Sequence, residues 1–214
     1  MSDVAQLDAP VLDGADFAAR TGATPDQVAD LEQLRALLAD WNGRMNLVSD
    51  SSLADYWGRH VYDSAQLLPL ASAARVWVDI GAGAGFPGLV LAILLKGVAG
   101  AQVHLVESQA KRCRFLEAAV EALALPAQVR NARAESLVIK ADVVTARAVA
   151  PMVRLLEFAR PYLAKGATGL FLKSESVAAE IAEARKTWRF TYDVVTSVSD
   201  SRGRIVKVEG LARA

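Results

Sequence analysis

The chain has 214 residues, of which 53% are apolar and 22% are charged, and its 24 basic residues balance 24 acidic ones. This length suits one sizeable α/β domain with an extension and excludes two full domains. The zero net charge argues against a protein that binds polyanions over its whole surface. The bases are concentrated towards the C-terminus, where residues 185–214 hold seven of them against three acids, which is compatible with a nucleic-acid partner.

The sequence lacks the usual marks of export or membrane insertion. Cys113 is the single cysteine, so no intrachain disulfide forms, as expected in a reducing compartment. The N-terminus has no basic region followed by an apolar core, and the longest apolar run, residues 89–95, is too short to cross a membrane. We therefore expect a cytoplasmic protein with no membrane partner. No His or Cys cluster has the spacing of metal ligands, so no metal is predicted.

The first 72 residues predict a helical extension. Residues 1–23 are acidic and weakly periodic, which indicates a loose arm with one short helix around 13–20. Residues 24–27 read TPDQ, a helix start with a capping threonine, a proline at the first position and a glutamine three residues after the cap. Apolar residues then recur at helical spacing until Trp41, and the helix is expected to end near 42–43. Two further short helices are expected to begin near Ser51 and near Val61.

Residues 76–88, VWVDIGAGAGFPG, form the most informative segment of the chain. A short apolar run ends in Asp79, and four glycines follow before an apolar segment that reads as a helix. A strand, a glycine turn and a helix in this order are typical of a nucleotide-cofactor site. Small residues let the backbone approach the ligand closely, and the start of the helix offers unpaired N–H groups.

Strands and helices alternate from this segment onward, which predicts a parallel sheet with helices on both faces. Two strands in succession close the chain, and they must form an antiparallel hairpin at an edge. The predicted strands are residues 76–80, 102–107, 127–131, 142–147, 168–173, 190–198 and 205–210. The predicted helices are residues 88–95, 110–124, 152–163 and 177–188, with a turn at 134–137. The expected fold is an α/β sheet of seven strands in residues 73–214, preceded by the extension in residues 1–72.

The glycine segment also matches G-x-G-x-x-G of dinucleotide-binding proteins over residues 83–88, but three features favour another cofactor. Asp79 would crowd a pyrophosphate, whereas it suits a cofactor with a cationic amino-acid tail. Phe86 and Pro87 stand where a phosphate-binding helix should begin, and the sheet ends in an antiparallel hairpin. Glu107 closes the second strand, where an acid can accept hydrogen bonds from ribose hydroxyls of either cofactor class. Together these features resemble the S-adenosylmethionine-dependent methyltransferases of the seven-stranded Rossmann-like class.

Seven segments along the chain sharpen this resemblance by their order. They are WN…NLVS (41–49), RHVYDS (59–64), VDIGAGAGFPG (78–88), LVESQAKRCRFL (105–116), NARAESL (131–137), TARAVAP (145–151) and LFLK (170–173). The combination resembles the bacterial 16S rRNA guanine-N7 methyltransferase family (RsmG/GidB) over about residues 31–210. The resemblance implies S-adenosyl-L-methionine as cofactor, and a guanine N7 in a loop of 16S rRNA or the small ribosomal subunit as methyl acceptor. We further expect a monomer.

The same resemblance implies which residues form the site. The methionine part of the cofactor lies at the glycine turn, the ribose at the second strand, and the adenine beside the turn after the third strand. The implied cofactor-binding residues are Asp79, Gly81, Gly83, Gly85, Phe86, Glu107, Ala134, Glu135 and Arg147. The implied catalytic residues are Arg147, His60 and Arg59, with Asp63 and Ser64 capping the same cleft. Lys173 precedes Ser174 where the family usually has glycine, and no role is assigned to it.

The chemistry of this acceptor makes few demands on the protein. Guanine N7 carries an in-plane lone pair and no proton, so no general base is required and catalysis can be mostly positioning. The base must be unstacked to be reached, and Phe86, Trp57 and Tyr56 are candidates for stacking on it.

Two other functions stay open at this stage. A methyltransferase of the same fold acting on a small molecule or a protein is supported by the neutral net charge. An NAD-binding dehydrogenase is supported only by the match at residues 83–88.

Overall fold

The computed structural model describes residues 13–214, so positions 1–12 of the predicted loose arm lie outside the described residues. The α-helices in this part of the chain are α1 (Gly14–Thr21), α2 (Pro25–Met45), α3 (Asp50–Ala54), α4 (Asp63–Ala65), α5 (Gly88–Leu94), α6 (Ala110–Ala122), α7 (Met152–Leu163) and α8 (Val177–Ala184). A π-helix, Tyr56–Tyr62, runs directly into α4, and short 3-10 helices cover Leu68–Ala71 and Ala134–Ser136. The strands are β1 (Val76–Ile80), β2 (Gln102–Glu107), β3 (Ala127–Asn131), β4 (Val143–Arg147), β5 (Thr168–Ser174), β6 (Trp188–Thr196) and β7 (Gly203–Arg213).

The seven strands form one sheet in the order β3-β2-β1-β4-β5-β7-β6. Strands β1 to β5 are mutually parallel, whereas β7 is antiparallel to both β5 and β6. The predicted α/β sheet with an antiparallel C-terminal hairpin at its edge is thus confirmed. We call the edge at which β1 to β5 end the carboxyl edge. Because Ser174 pairs with Gly203, the turn between β6 and β7 lies at this same edge.

Two hydrophobic clusters cover the two faces of the sheet. Trp77 of β1 belongs to the cluster that contains α5 and α6, whereas Val78 belongs to the cluster that contains α7 and α8. The alternation follows from the pleat, which sends successive side chains to opposite faces. Leu31 and Leu34 of α2 lie in the first cluster, so the N-terminal helices share a core with the sheet. The division of the chain at residues 72 and 73 remains a prediction.

Three predicted helix limits are corrected by the structure. α2 continues past 42–43 to Met45, because the buried Asn42 side chain accepts a hydrogen bond from Val48 N and Asn46 takes the left-handed conformation that ends the helix. The helix expected near Val61 begins earlier, as the π-helix. The helix expected to reach 188 ends at Ala184, because Trp188 instead opens β6 and packs in the second cluster.

Candidate active site

The glycine turn between β1 and α5 is held in a conformation that suits glycine. Gly81 and Gly83 have φ values of 67° and 56°. A Cβ atom on Gly81 would lie 2.7 Å from Cγ2 of Val149, so only glycine fits there. A Cβ atom on Gly83 would meet nothing closer than the Gly81 carbonyl at 3.6 Å. The turn is therefore packed at Gly81 and open at Gly83, which leaves its backbone accessible to a ligand.

Asp79 lies beneath this turn and is 1% exposed. Its Oδ2 atom accepts a hydrogen bond from Gly88 N at 3.0 Å, and its Oδ1 atom accepts one from the Thr145 hydroxyl at 3.0 Å. Burial raises the pKa of Asp79 to about 7, against the opposing effect of these two hydrogen bonds. Asp79 thus ties the start of α5 to β4. Its predicted contact with a cationic cofactor tail remains a prediction.

Glu107 closes β2 beside the same turn and is 4% exposed. Its Oε2 atom accepts a hydrogen bond from Gly83 N at 3.0 Å, and its Oε1 atom accepts one from Gln109 N at 2.8 Å. The backbone carbonyl of Glu107 accepts from Ala132 N, which brings the segment after β3 next to it. A carboxylate next to an open glycine backbone fits a ligand that carries both ribose hydroxyls and an amino-acid group.

Ala134 and Glu135 follow β3 in the 3-10 helix at the carboxyl edge. The carbonyl of Ala134 accepts a hydrogen bond from the hydroxyl of Tyr162 at 3.0 Å, so α7 fixes this segment. The side chain of Glu135 is 38% exposed and lies 4.0 Å from Arg133. Burial, together with the charge of Glu135, raises the pKa of Tyr162 to about 12. The role of Tyr162 carries no local sequence signal, because the tyrosine is separated from Ala134 by 28 positions.

Arg147, the last residue of β4, brings the three predicted catalytic residues together. Its Nη2 atom lies 2.6 Å from Nδ1 of His60, and its Nη1 atom donates to the Arg59 carbonyl at 2.5 Å. Its guanidinium also lies 3.5 Å from the Asp63 carboxylate and 5.3 Å from the centre of the Phe86 ring. Burial lowers the pKa of Arg147, whereas Asp63 raises it. The side chain of Arg59 is exposed, and its contact with Arg147 is made by its backbone carbonyl.

His60 is the most constrained member of this cluster. Its ring stacks on Phe86 with centroids 4.3 Å apart and planes inclined by 14°. Burial, together with the charges of Arg147 and Arg59, lowers the pKa of His60 to about 3. The imidazole is therefore neutral near pH 7. Because arginine can only donate, Nδ1 is the acceptor and the proton resides on Nε2. That buried nitrogen has no hydrogen-bond partner among residues 13–214.

The turn between β6 and β7 also reaches the cluster, which the sequence did not indicate. Oδ1 of Asp63 accepts hydrogen bonds from the hydroxyl of Ser199 at 2.7 Å and from that of Ser197 at 3.3 Å. Asp63 therefore joins the C-terminal hairpin to Arg147. The two serines lie more than 130 positions from Asp63 in a segment without a recognisable motif, so no sequence signal identifies them.

The three aromatic residues predicted to stack on a base are buried. Tyr56 is 1% exposed and its hydroxyl donates to the Leu31 carbonyl, and Trp57 is 3% exposed. The prediction is wrong for both, because they fill the core that joins the N-terminal helices to the sheet. Phe86 is 4% exposed, with His60 already stacked on it.

The described part of the chain contains neither a metal-binding cluster nor a membrane-spanning helix. No group of three or more His, Cys, Asp or Glu side chains within residues 13–214 is arranged to hold a metal ion. No helix in that range combines the length and apolarity needed to cross a membrane.

The chain is similar to known proteins over nearly its whole length. The GidB family, described as rRNA small subunit methyltransferase G, matches residues 27–206 of the chain. Ribosomal RNA small subunit methyltransferase G of Caulobacter vibrioides (strain NA1000 / CB15N) is 59% identical, over 99% of this chain and 98% of the relative. The protein of the same name from Caulobacter sp. (strain K31) is 62% identical, over 97% of this chain and 93% of the relative. The solved structure of an O-methyltransferase from Bacillus cereus in complex with SAH shares the fold, with a TM-score of 0.59, 15% identity, and coverage of 93% of this chain and 98% of that one.

Proposed function

The chain belongs to the GidB family of rRNA small subunit methyltransferase G, and we propose that it methylates N7 of a guanine in a loop of 16S rRNA with S-adenosylmethionine as methyl donor. The observation that carries the proposal is the position of two groups at the carboxyl edge. The glycine turn and Glu107 follow β1 and β2, and the Arg147–His60 pair stands at the end of β4, the other neighbour of β1. A cofactor cradle and an acceptor site on adjacent strands are what a group transfer requires.

We assign the cofactor to the glycine turn, Glu107 and the 3-10 helix after β3. When bound, S-adenosylmethionine would supply a methyl group whose carbon can accept a lone pair from the acceptor while the sulfonium sulfur leaves as a neutral thioether. Glu107 accepts hydrogen bonds from ribose hydroxyls with the lone pairs that Gly83 N and Gln109 N leave free. The open backbone at Gly83 takes the methionine part, and Ala134 and Glu135 border the adenine.

The state of His60 supports N7 as the acceptor atom. Guanine N7 has no proton to lose, so this reaction needs no general base. A histidine whose pKa lies near 3 is neutral at physiological pH and already occupied by Arg147, so it does not serve as a base or an acid there. We assign His60 the task of holding Arg147 and Phe86 in place.

Arg147 is the residue we assign to the acceptor guanine. Its hydrogen bonds to Arg59 O, Asp63 and His60 use three of the five guanidinium N–H groups. The remaining donors are available to the O6 atom of guanine, which arginine commonly binds. Holding O6 in this way orients N7 towards the cofactor cradle. The nearby carboxylate of Asp63 offsets the positive charge of Arg147, which reduces the repulsion between Arg147 and the cationic product.

Family membership also decides between the alternatives raised from the sequence. The relatives that cover nearly the whole chain are named for an RNA substrate, which argues against a small-molecule or protein methyltransferase and against an NAD-dependent dehydrogenase. Since the proposed substrate is ribosomal RNA, we propose that the enzyme acts in the cytoplasm. We also propose that it acts as a monomer.

A methylation assay tests the function directly. Purified protein and S-adenosylmethionine are incubated with 16S rRNA from a strain lacking the modification, supplied free, as an assembly intermediate or as the whole small subunit. Borohydride and aniline cleave RNA at N7-methylguanine, and primer extension locates the break. We expect one new stop in a loop in at least one of the three substrates. No stop in any of them, with S-adenosylhomocysteine still binding by calorimetry, would refute the acceptor assignment.

A further inference from the structure

The loop between β4 and α7 contains a strained residue directly after Arg147. Ala148 has a φ of 55°, in the left-handed region that disfavours residues with a Cβ atom. The next residue, Val149, packs on Gly81, where a Cβ atom would lie 2.7 Å from its Cγ2. The left-handed turn at Ala148 thus stands between the acceptor-binding arginine and the side chain that covers the cofactor turn.

Two charged side chains hold this loop from the other end. Nζ of Lys173 donates to the Ala150 carbonyl at 3.1 Å and lies 2.6 Å from the Glu180 carboxylate. The same carboxylate accepts a hydrogen bond from Met152 N at 2.9 Å. The side chains are 11% and 24% exposed, respectively. Lys173 at the end of β5 and Glu180 on α8 therefore secure the loop at Ala150 and at Met152.

We propose that Lys173 and Glu180 form a clamp that maintains the strained turn at Ala148, and thereby positions Arg147 against the acceptor and Val149 against the cofactor turn. A strained backbone conformation persists only where surrounding contacts hold it in place, and the side chains of Lys173 and Glu180 supply those contacts. The proposal rests on the proposed function for its activity readout. It makes Lys173 a positioning residue and not an RNA contact, because its ammonium is largely buried and already has two acceptors.

Glycine at position 148 provides the decisive test. Glycine adopts the left-handed conformation without steric cost, so the loop needs less external support once Ala148 is replaced. The variants to compare are K173M, A148G and the double variant K173M/A148G. The control is K165M, which removes an exposed lysine located between α7 and β5, at the opposite edge of the sheet.

Loss of the clamp should lower activity through misplacement rather than unfolding. We expect K173M to lower kcat about 100-fold, the loss typical of a displacement of about 1 Å. Its affinity for S-adenosylhomocysteine should fall about tenfold by calorimetry, because Val149 no longer fixes the cofactor turn. A148G in the K173M background should restore at least a tenth of the wild-type kcat. K165M should match the wild type in both measurements.

Three results would overturn the clamp. The first is wild-type kcat and affinity in K173M, and the second is a loss in K173M that A148G does not relieve. If K173M does not fold, E180Q is measured instead, with and without A148G. The third result is then a loss of activity in E180Q that A148G does not relieve. Calorimetry requires no RNA, so it tests the clamp even if the wild type fails to methylate 16S rRNA; that failure would count against the proposed function alone.

Discussion

The Nη2 atom of Arg147 and the Nδ1 atom of His60 lie 2.6 Å apart, and this contact joins the end of β4 to the π-helix. The N-terminal helices therefore belong to the candidate active site as well as to the core. His60 is neutral because of its burial, and its neutral ring is the acceptor that a guanidinium requires. The low pKa of the histidine and the orientation of the arginine are thus consequences of the same packing.

Replacement of Arg147 by lysine should abolish most of the methyl transfer. A lysine lacks the planar set of donors that reaches Arg59 O, His60 and the acceptor base together. We expect R147K to lower kcat about 100-fold in steady-state assays with 16S rRNA. The affinity for S-adenosylhomocysteine should change less than about threefold, which corresponds to under 1 kcal/mol.

An exposed arginine provides the control for that experiment. Arg185 follows α8 at the opposite edge of the sheet, and R185K should behave as the wild type. If R147K retains the wild-type kcat, Arg147 does not orient the acceptor.

The stability of the protein against urea should depend on pH through His60 and Asp79 with opposite signs. The pKa of His60 is about 3 in the folded protein and 6.5 in the unfolded chain. Between these values the unfolded chain binds the extra proton, so the contribution of His60 is fully present above pH 6.5 and is lost as the pH falls. The pKa of Asp79 is raised from 3.8 to about 7. Its contribution is therefore fully present below 3.8 and is lost as the pH rises through about 7.

Two variants separate these opposed contributions. Relative to the wild type, H60N should lower the slope of unfolding free energy against pH, and D79N should raise it, each by about 1.4 kcal/mol per pH unit between about pH 4.5 and 5.5. His104, whose pKa is also lowered by burial, is unchanged in both variants. Equal slopes in all three proteins would show that neither group has the pKa described.

Much of the sheet was predictable from the sequence because its signals are local. The limits of β1, β2, β3 and α7 agree with the predicted ones, since apolar runs and turn residues mark them directly. The antiparallel pair at the edge followed from the missing helix between the last two strands. The glycine turn was likewise recognisable, because its acid and its glycines lie within ten positions.

The contacts that complete the site were not predictable in this way. Asp63 meets Ser199 across 136 positions, and Lys173 of β5 meets Glu180 of α8 across the turn between these two elements. The positive φ of Ala148 contradicts the preference of alanine, so the local sequence does not indicate it. Tyr56 and Trp57 were candidates for stacking on a base, but the core shared between α2 and the sheet buries them. Such features depend on how distant elements meet, which no local pattern records.

Replacement of Glu107 should weaken cofactor binding selectively. E107A removes the carboxylate that we assign to the ribose, and it also frees Gly83 N and Gln109 N at the carboxyl edge. We expect the affinity for S-adenosylhomocysteine to fall at least about tenfold, or about 1.4 kcal/mol. Calorimetry measures this directly, with E117A on the exposed side of α6 as the matched control. An unchanged affinity in folded E107A would remove Glu107 from the cofactor site.

Asp79 offers a way to separate the shape of the glycine turn from its charge. An asparagine at this position can accept from Gly88 N with its oxygen and donate to the Thr145 hydroxyl with its nitrogen, so D79N preserves both contacts. An alanine preserves neither, and each buried group left without a partner costs about 1–3 kcal/mol. We therefore expect D79A to be markedly less stable in urea and to bind S-adenosylhomocysteine weakly, whereas D79N keeps the fold.

The pH dependence of cofactor affinity then decides whether the charge of Asp79 matters. With a pKa of about 7, the wild-type carboxyl is mostly protonated one pH unit below that value and mostly ionised one unit above it. If the negative charge attracts the cationic amino group of the cofactor, the affinity of the wild type should rise through this range, and the affinity of D79N should not. Calorimetry with S-adenosylhomocysteine, which retains that amino group, measures both proteins in the same buffers. Parallel pH profiles would mean that Asp79 acts only through the position of Gly88, as a support for the turn and not as a partner of the ligand.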